Sequence, residues 1–348
     1  KLYQQLVGST FVSDSGLVSL KRQNFRKPKR SDLPNLNHYA KLINGKSQSI
    51  IVGYTEGTRG CKHICRHCPI VPVYNGRFFV VQPDVVMEDI RQQVEAGAEH
   101  ITFGDPDFFN GPGHALKLVE SFHQEFPNLT YDVTIKIEHL LAHREKLSIL
   151  TETGCLFVTT AVEEVDDDVL FRLEKNHTRA DFIEVVHATN SAELKLSPTF
   201  IPFHPWTTTY GFVNLLSMIS ELDLIENVAP VQFGIRLLIP KGSRILELTA
   251  INQFLGDFDA EKLSYRWKPA DKRADELQSK VYEAIQFGVS EGASRRSIFE
   301  QIWILAHNAC EQSAPALPPE RAESIPVPAM SEPWYCCAEP TDEQISGL

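Results

Sequence analysis

The stretch that decides the fold is QSIIVGYTEGTRGCKHICRHCP, residues 48–69. Its first part, 48–55, is a β-branched apolar run, which predicts a buried strand. The loop that follows carries Cys61, Cys65 and Cys68 in a CxxxCxxC spacing. Barrel proteins gather their functional residues at the C-terminal ends of their strands. The stretch therefore predicts a site at the end of a first barrel strand.

Outward from this stretch, strands and helices alternate along the chain. Further apolar strands are predicted at 100–105, 130–137, 155–162, 194–201 and 228–239. Helices are predicted at 83–98, 113–126, 139–151, 166–174, 180–192, 208–224, 271–288 and 294–312. Strands separated by helices of this kind indicate βαβ units and a parallel sheet. The units between residues 48 and 240 are too few for a closed eight-unit barrel, so we predict an α/β fold with a partial TIM-type (β/α)6 barrel.

The rest of the chain frames this barrel. We predict a polar, locally basic N-terminal extension or cap over residues 1–46 and the barrel itself over 47–240. A C-terminal helical region is expected over 241–312. Residues 313–348 are rich in proline, which predicts an extended tail.

Composition narrows the class of protein. The chain has 348 residues, with 34 Lys+Arg against 45 Asp+Glu and a net charge of −11. Such a chain buries a large core unaided, and its seven cysteines are too few for a disulfide scaffold. The acidic balance argues against a general nucleic-acid binder. No apolar run reaches the ~18 residues of a membrane span, and no signal peptide is evident. We therefore expect a cytoplasmic protein whose clustered cysteines bind metal or do redox work.

The three loop thiols have a definite chemistry. Thiolates are soft ligands that select iron–sulfur clusters or zinc. Three of them can hold three irons of a [4Fe–4S] cluster and leave the fourth iron open for chemistry. Lys62, His63 and Arg66 put positive charge beside the thiols and favour the thiolate form. The alternative is a zinc site completed by His63 or His67, but zinc loops usually show two separated Cys-x-x-Cys pairs, which favours the cluster.

With this loop, the chain resembles the radical S-adenosylmethionine (radical SAM) enzymes over roughly residues 48–240. The CxxxCxxC loop after the first strand is the hallmark of that family. The second strand ends in TFGDPDF, which is similar to the family's GGEP element. The resemblance implies that Gly104 and Asp105 meet the amino group of the methionine part of S-adenosylmethionine.

Later strand ends extend the resemblance. The segment VTIKIEHLL is similar to family strands whose ends contact the cosubstrate, which implies such a role for Lys136 and Glu138. The segment VTTAVEEVDDDVLFRLEKNHT resembles a family pattern that places Glu163 at the ribose-facing acid. In FGIRLLIP, Arg236 is expected to face the pocket.

The resemblance also implies the activity. A reduced [4Fe–4S] cluster would bind S-adenosylmethionine and break one of its C–S bonds, usually giving a 5′-deoxyadenosyl radical, with a 3-amino-3-carboxypropyl product as the alternative. The expected partners are a small-molecule substrate and an electron donor such as flavodoxin or ferredoxin. No membrane is expected, and the acidic balance disfavours nucleic acid.

The tail contains a second cysteine group. EPWYCCAEPTDE carries adjacent Cys336 and Cys337. Adjacent Cα atoms lie ~3.8 Å apart, less than the ~4.4–6.8 Å of most disulfides, so we expect free thiols that converge on one soft atom such as arsenic, selenium, zinc or an auxiliary iron. The tail also resembles that of the CUAEP/CCAEP-tail radical SAM subgroup, some of whose members have selenocysteine where Cys337 stands. This implies a catalytic role for the pair, and the tail must fold back over the barrel mouth to exert it.

Four further residues are candidates of lower rank. Cys155 and Cys310 fall in apolar elements and are expected to be buried core thiols. His204 and Trp206 follow the fifth strand and either line the substrate pocket or form a turn between prolines.

Two other functions compete with a small-molecule radical enzyme. One is a non-catalytic zinc- or metalloid-binding redox sensor in which both cysteine groups bind metal. The other is a radical SAM enzyme that modifies RNA or a peptide. It ranks lower because the sequence shows no basic stripe with interleaved aromatic residues.

Overall fold

The computed structural model describes residues 23–44, 48–320, 325–332 and 337–340. Its main sheet has seven strands among these residues, in the spatial order β11-β1-β2-β5-β6-β7-β8. The strands, in chain order, are β1 Lys41–Asn44, β2 Gln48–Thr55, β3 Thr58–Gly60, β4 Phe78–Val80, β5 His100–Phe103, β6 Thr130–Thr134, β7 Cys155–Glu163, β8 Leu196–Phe200, β9 Leu255–Asp259, β10 Ser264–Trp267 and β11 Ala329–Met330.

The inner part of this sheet is parallel. Strands β2, β5, β6, β7 and β8 run in one direction. Strand β1 pairs antiparallel with the β2 edge, and β11 pairs antiparallel with β1. The helices are Val71–Tyr74, Pro83–Glu95, Pro112–Glu125, Ile137–Ala142, Leu147–Glu152, Asp167–Arg172, Arg179–Ser191, Thr209–Glu221, Lys272–Ser290 and Arg295–Ala309. The predicted α/β fold with a partial TIM-type barrel is confirmed, and the carboxyl ends of the parallel strands meet at one edge.

Local sequence explains where helices begin. Thr178 forms a capping box with Asp181 at the start of Arg179–Ser191. The Asp166 carboxylate accepts the free N–H groups at the start of Asp167–Arg172. These caps fix the turns that follow β7, and they therefore help to hold the end of that strand in place.

The core lies where successive parallel strands stack their apolar residues. Ile101, Val133 and Val158, on β5, β6 and β7, are each fully buried. Val158 is in register with Val133 on one side and Leu196 on the other. Because such strands are covered on both faces, they appear in the sequence as continuous apolar runs. This is why pattern alone located them within a few residues.

The predicted sixth strand, 228–239, is wrong as a strand. Residues Pro230–Gly234 form a 3-10 helix, and a single parallel bridge between Phe203 and Arg236 continues the sheet beyond β8. Pro230 has no N–H for a ladder. The side chain of Gln232 instead accepts the Phe200 N–H at 3.0 Å. The first half of the segment is apolar because Val228 and Phe233 are buried in the core, and the residues after it form only isolated bridges.

The described part of the N-terminal extension is attached to the barrel by hydrogen bonds, an ion pair and strand pairing. The Arg30 guanidinium donates to both carboxylate oxygens of Asp89 at 2.7 Å and to the Tyr54 carbonyl at 2.6 Å. The strand Lys41–Asn44, which the sequence did not predict, lies within this extension and pairs with β2.

The C-terminal part packs along the body of the fold. The Trp303 indole donates to the Pro315 carbonyl at 2.9 Å, and the Val327 N–H donates to the Glu226 carbonyl at 3.0 Å. Val327 is buried. The predicted proline-rich tail is therefore extended where it is described, but it is attached, and its Ala329–Met330 strand closes one sheet edge. Across the described residues, none of the helices has both the length and the apolarity to cross a membrane.

Candidate active site

A short hairpin frames the cysteine loop. Strands β3 and β4 pair antiparallel, so residues 61–77 form an excursion between two joined strands. Gly60 has a φ of +86°, and a Cβ there would lie 2.6 Å from the Arg77 carbonyl oxygen. Only glycine fits this turn. The hairpin therefore fixes where the loop leaves the barrel and where it returns.

The three loop thiols are free and shielded from water. Cys65 is buried, and Cys61 and Cys68 are partly buried. Burial raises the pKa of the Cys61 thiol to about 12. The pKa of Cys68 is lowered to about 6, first by a hydrogen bond with the Cys337 thiol and then by the charge of His67, against the effect of burial. Of Cys61 and Cys68, Cys68 is thus the thiol that ionises more readily.

Two buried lysines supply positive charge to these thiols. Lys136 Nζ lies 3.7 Å from Cys65 Sγ. Lys175 is fully buried, and the charges of Glu163, Cys65 and Cys337 raise its pKa even though burial alone would lower it. Buried ammonium groups favour thiolate over thiol. The loop is therefore built to hold negative charge.

The acid that sequence reasoning missed is Asp107, just after β5. It is fully buried, and its Oδ2 atom lies 2.7 Å from His139 Nδ1 and 3.2 Å from His63 Nε2. Burial alone would raise the pKa of Asp107, but the two histidines hold it well below its usual range. The sequence signal was present in TFGDPDF, where a second acid stands two residues beyond Asp105.

Glu138 contacts both Lys136, the other residue predicted at the end of β6, and His63 of the cysteine loop. Its Oε1 atom lies 2.7 Å from His63 Nδ1 and 3.4 Å from Lys136 Nζ. Burial opposes ionisation, but His63 and Lys136 lower the pKa of Glu138 to about 2. Both candidates at the end of β6 thus lie in one network with the loop.

Gly104 and Asp105 have defined structural partners. A Cβ on Gly104 would collide with the Tyr54 hydroxyl, so the close approach of Tyr54 requires glycine. The Asp105 carboxylate accepts the N–H groups of Gly57 at 2.8 Å and Thr58 at 2.5 Å. Burial raises the pKa of Asp105 to about 7 despite these bonds. Asp105 therefore clamps the entry to the cysteine loop.

Glu163 ends β7 in a conformation that side chains rarely adopt. Its φ is +69°, and it is buried. One carboxylate oxygen lies 3.1 Å from both His67 Nε2 and Lys175 Nζ. These two groups lower its pKa to about 2 against the effect of burial. Strained backbone of this kind is common at functional sites. Here the carboxylate of Glu163 contacts His67, the loop residue before Cys68.

The tail reaches this site. The Cys337 thiol lies within hydrogen-bonding reach of Cys68. Arg236, expected in the pocket, instead holds the tail, with its Nε 3.1 Å from Glu339 Oε2. Cys336 lies outside the described residues, so its placement stays a prediction.

The four lower-ranked candidates lie in two places: Cys155 and Cys310 in the core, and His204 and Trp206 in the turn after β8. Cys155 and Cys310 are buried as predicted. His204 Nε2 lies 3.0 Å from Glu164 Oε2, both buried, and its backbone N–H donates to Thr207 in a tight turn. Trp206 stands beside them with its indole nitrogen buried and, among the described residues, without a hydrogen-bond partner.

These residues fit the groups that the resemblance implies. Free thiols on one framed loop, next to buried ammonium groups, suit a negatively charged iron–sulfur cluster. Ionised carboxylates after β5, β6 and β7 suit the amine and hydroxyl groups of a cationic cosubstrate.

Comparisons with solved structures show the same fold. One similar structure is that of OxsB, a cobalamin-dependent S-adenosylmethionine radical enzyme, with aqua-cobalamin bound. It is 14% identical in sequence, has a TM-score of 0.55, and the match covers 68% of this chain and 42% of that one. OxsB with aqua-cobalamin and S-adenosylmethionine matches at 12% identity and a TM-score of 0.57, covering 73% and 47%. The radical S-adenosylmethionine methyltransferase TsrM from Kitasatospora setae is a looser match, at 16% identity and a TM-score of 0.45, covering 50% and 33%. The chain thus spans less than half the length of these proteins.

Among curated proteins, none matches the chain. A family model does match, over residues 55–209, and its description is Radical SAM superfamily. The matched stretch starts at the end of β2, contains the cysteine loop and ends at the start of the helix Thr209–Glu221. This supports the expectation of an S-adenosylmethionine-dependent enzyme. Residues 55–209 are thus similar to the radical SAM superfamily.

Proposed function

We propose that this chain is a radical SAM enzyme that starts radical chemistry on a small-molecule substrate. Cys61, Cys65 and Cys68 would hold a [4Fe–4S] cluster. The observation that carries the proposal is the framed loop itself, with three free thiols and Lys136 Nζ 3.7 Å from one of them. When bound, the cluster supplies the electron that cleaves S-adenosylmethionine.

The protein's own residues bind and orient the cosubstrate. Asp107, Glu138 and Glu163 present carboxylates from the ends of three adjacent parallel strands, and neighbouring cations keep them ionised. Gly104 permits the close approach of Tyr54, whose hydroxyl donates to the Gly104 carbonyl at 3.3 Å, and Asp105 holds the loop entry in place. Preorganised charges in a dry site act more strongly than the same charges in water.

We assign the tail to the bond-forming part of the reaction. In this proposal Cys336 and Cys337 hold the substrate or a soft element, namely sulfur, selenium or arsenic. Support comes from the position of Cys337, which meets the cysteine loop although it lies 337 − 68 = 269 residues beyond Cys68. The resemblance of CCAEP to the tails of the CUAEP/CCAEP subgroup points the same way.

Anaerobic reconstitution tests the proposal. The brown protein should hold about four iron and four sulfide per chain. Dithionite with S-adenosylmethionine should then give 5′-deoxyadenosine or a 3-amino-3-carboxypropyl product, identified by mass spectrometry. Cys65→Ala should abolish both results, whereas the matched control Cys155→Ala, at a buried thiol in the core, should abolish neither.

One observation favours the zinc or metalloid alternative. Ligand atoms of Cys61, His63 and Asp107 lie within 4.8 Å of one another and could hold a metal ion. A colourless protein with one zinc per chain, lost on His63→Ala, would establish that reading and overturn the enzyme.

The expected setting follows from the same proposal. A cytoplasmic flavodoxin or ferredoxin would supply the electron. The OxsB structures contain cobalamin, but our proposal includes only the cluster and S-adenosylmethionine, because the residues assigned above fit those two groups. Action on RNA or a peptide remains the lower-ranked alternative.

A further inference from the structure

The described end of the tail is hydrogen-bonded to the barrel as a strand. The Leu238 N–H donates to the Cys337 carbonyl at 2.9 Å, and the Glu339 N–H donates to the Arg236 carbonyl at 2.9 Å. Between these bonds, Leu237 and Ala338 form an antiparallel bridge. The tail thus pairs with the segment that follows the 3-10 helix at the predicted sixth strand. Its backbone is fixed on both sides of Ala338.

Side chains hold the same segment. Arg236 contacts Glu339 at 3.1 Å and Asp275 at 2.8 Å, and its guanidinium stacks over the Trp267 ring at 4.1 Å. Asp275 and Trp267 therefore hold Arg236 from two sides, and Glu339 of the tail is its third contact. A side chain on a strand that is held by such contacts is positioned more accurately than a side chain on an unattached chain end.

This anchoring sets the place of Cys337. Its thiol lies in hydrogen-bonding reach of Cys68, and the buried ammonium of Lys175 feels the charge of both Cys337 and Cys65. The chain therefore gathers four thiols at one loop, three from 61–68 and one from the tail. Four cysteine thiolates are the set that a [4Fe–4S] cluster takes when the protein binds every iron.

We infer that Cys337 is the fourth thiolate ligand of the cluster when S-adenosylmethionine is absent, and that S-adenosylmethionine displaces it. The inference rests on the proposed function. The exchange is balanced without any redox step: the iron–sulfur bond to Cys337 would break, the amine and carboxylate of the cosubstrate would take its place, and the released thiolate would take the proton that the ammonium group of the cosubstrate loses on binding.

The exchange has a measurable consequence. A protein ligand that competes for the open position lowers the apparent affinity for S-adenosylmethionine. The apparent dissociation constant is the intrinsic one divided by the fraction of molecules in which the position is free. Cys337 would thus guard against cleavage of the cosubstrate before it is needed, and the released thiol would be free for the role proposed for the tail.

Spectroscopy of reconstituted full-length protein tests the inference. Reduced wild type and Cys337→Ser are compared by electron paramagnetic resonance, each with and without S-adenosylmethionine. We expect their spectra to differ without S-adenosylmethionine and to agree when it is saturating. The dissociation constant should fall roughly three- to tenfold in the variant. Glu339→Gln, which weakens the anchor to Arg236, should shift both readouts in the same direction but less.

Cys336→Ser is the matched control, because it removes the adjacent thiol and should leave the spectra of the wild type unchanged. Identical spectra for wild type and Cys337→Ser without S-adenosylmethionine would overturn the inference while leaving the proposed function intact, provided that both cleave S-adenosylmethionine. A change in Cys336→Ser but not in Cys337→Ser would also overturn it. Absence of any iron–sulfur cluster in the wild type would overturn the proposed function as well.

Discussion

The cysteine loop and the tail bring thiols to one place by different routes. The loop holds three thiols within eight residues, 61–68, and strands β3 and β4 frame it on both sides. The tail brings Cys337 from the far end of the chain through one β-bridge and one ion pair. The loop is positioned by buried groups such as Asp105, whereas the Arg236 anchor of the tail is partly exposed.

This difference teaches what each region can do. A loop clamped by buried hydrogen bonds keeps its geometry whether or not a ligand is present. A short strand held by two backbone hydrogen bonds and one ion pair detaches at a lower cost than the loop, because each such contact contributes only about 0.5–3 kcal/mol. The loop therefore suits a permanent centre, and the tail suits a ligand that exchanges.

The largest effect should come from the loop. Cys65→Ala removes the buried thiol beside Lys136 and should abolish cluster binding and all cleavage of S-adenosylmethionine. The chain should still fold, because a core of this size needs no metal. Iron analysis and circular dichroism check the two parts. Full iron content in Cys65→Ala would contradict the assignment of the loop.

The tail should give a different kind of loss. Replacing Cys336 and Cys337 together by Ser keeps their volume and removes the soft thiolates. We expect uncoupled cleavage to 5′-deoxyadenosine to persist and product formation on the true substrate to stop, with lower affinity for arsenite. The control is Cys310→Ala, a buried thiol remote in sequence from both groups. Wild-type turnover in the double variant would show that the tail is a passive terminus.

The contrast also marks what could be read from the sequence. Continuous apolar runs located β2 and the parallel strands after it, and the spacing of three cysteines located the loop. Arg236 was noticed, but its partner Glu339 lies 103 residues away, and no local pattern links the two. The sixth strand was predicted wrongly because its first half is a buried 3-10 helix and its second half forms only isolated bridges. Asp107 was missed because a family motif drew attention to Asp105, two residues earlier.

A smaller effect should separate Asp107 from the loop thiols. Asp107→Asn keeps the shape but removes a buried charge that faces His63 and His139. We expect the cluster to remain and the dissociation constant for S-adenosylmethionine to rise roughly 10- to 100-fold, the value of a charged hydrogen bond. Isothermal titration checks this, with the exposed Asp257→Asn as control. Unchanged affinity would place Asp107 outside the cosubstrate site.

Asp105, which holds the entry to the cysteine loop, should have the smallest effect on cleavage. Its effect should appear in how the free energy of unfolding depends on pH. Burial raises the pKa of this carboxyl to about 7 in the folded protein, above the value of 3.8 expected when it is exposed. The folded state therefore holds the proton more tightly, so this contribution to stability is full below pH 3.8 and is lost as the pH rises through 7. Asp105→Asn should flatten that decline, which we expect to be of order 1–3 kcal/mol, although losing one acceptor costs about 1 kcal/mol at every pH. Denaturant unfolding at several pH values between 4 and 8 measures the slope, again against Asp257→Asn. An equal slope in wild type and Asp105→Asn would show that the carboxyl stays ionised, and that the loop entry depends on a fixed charge.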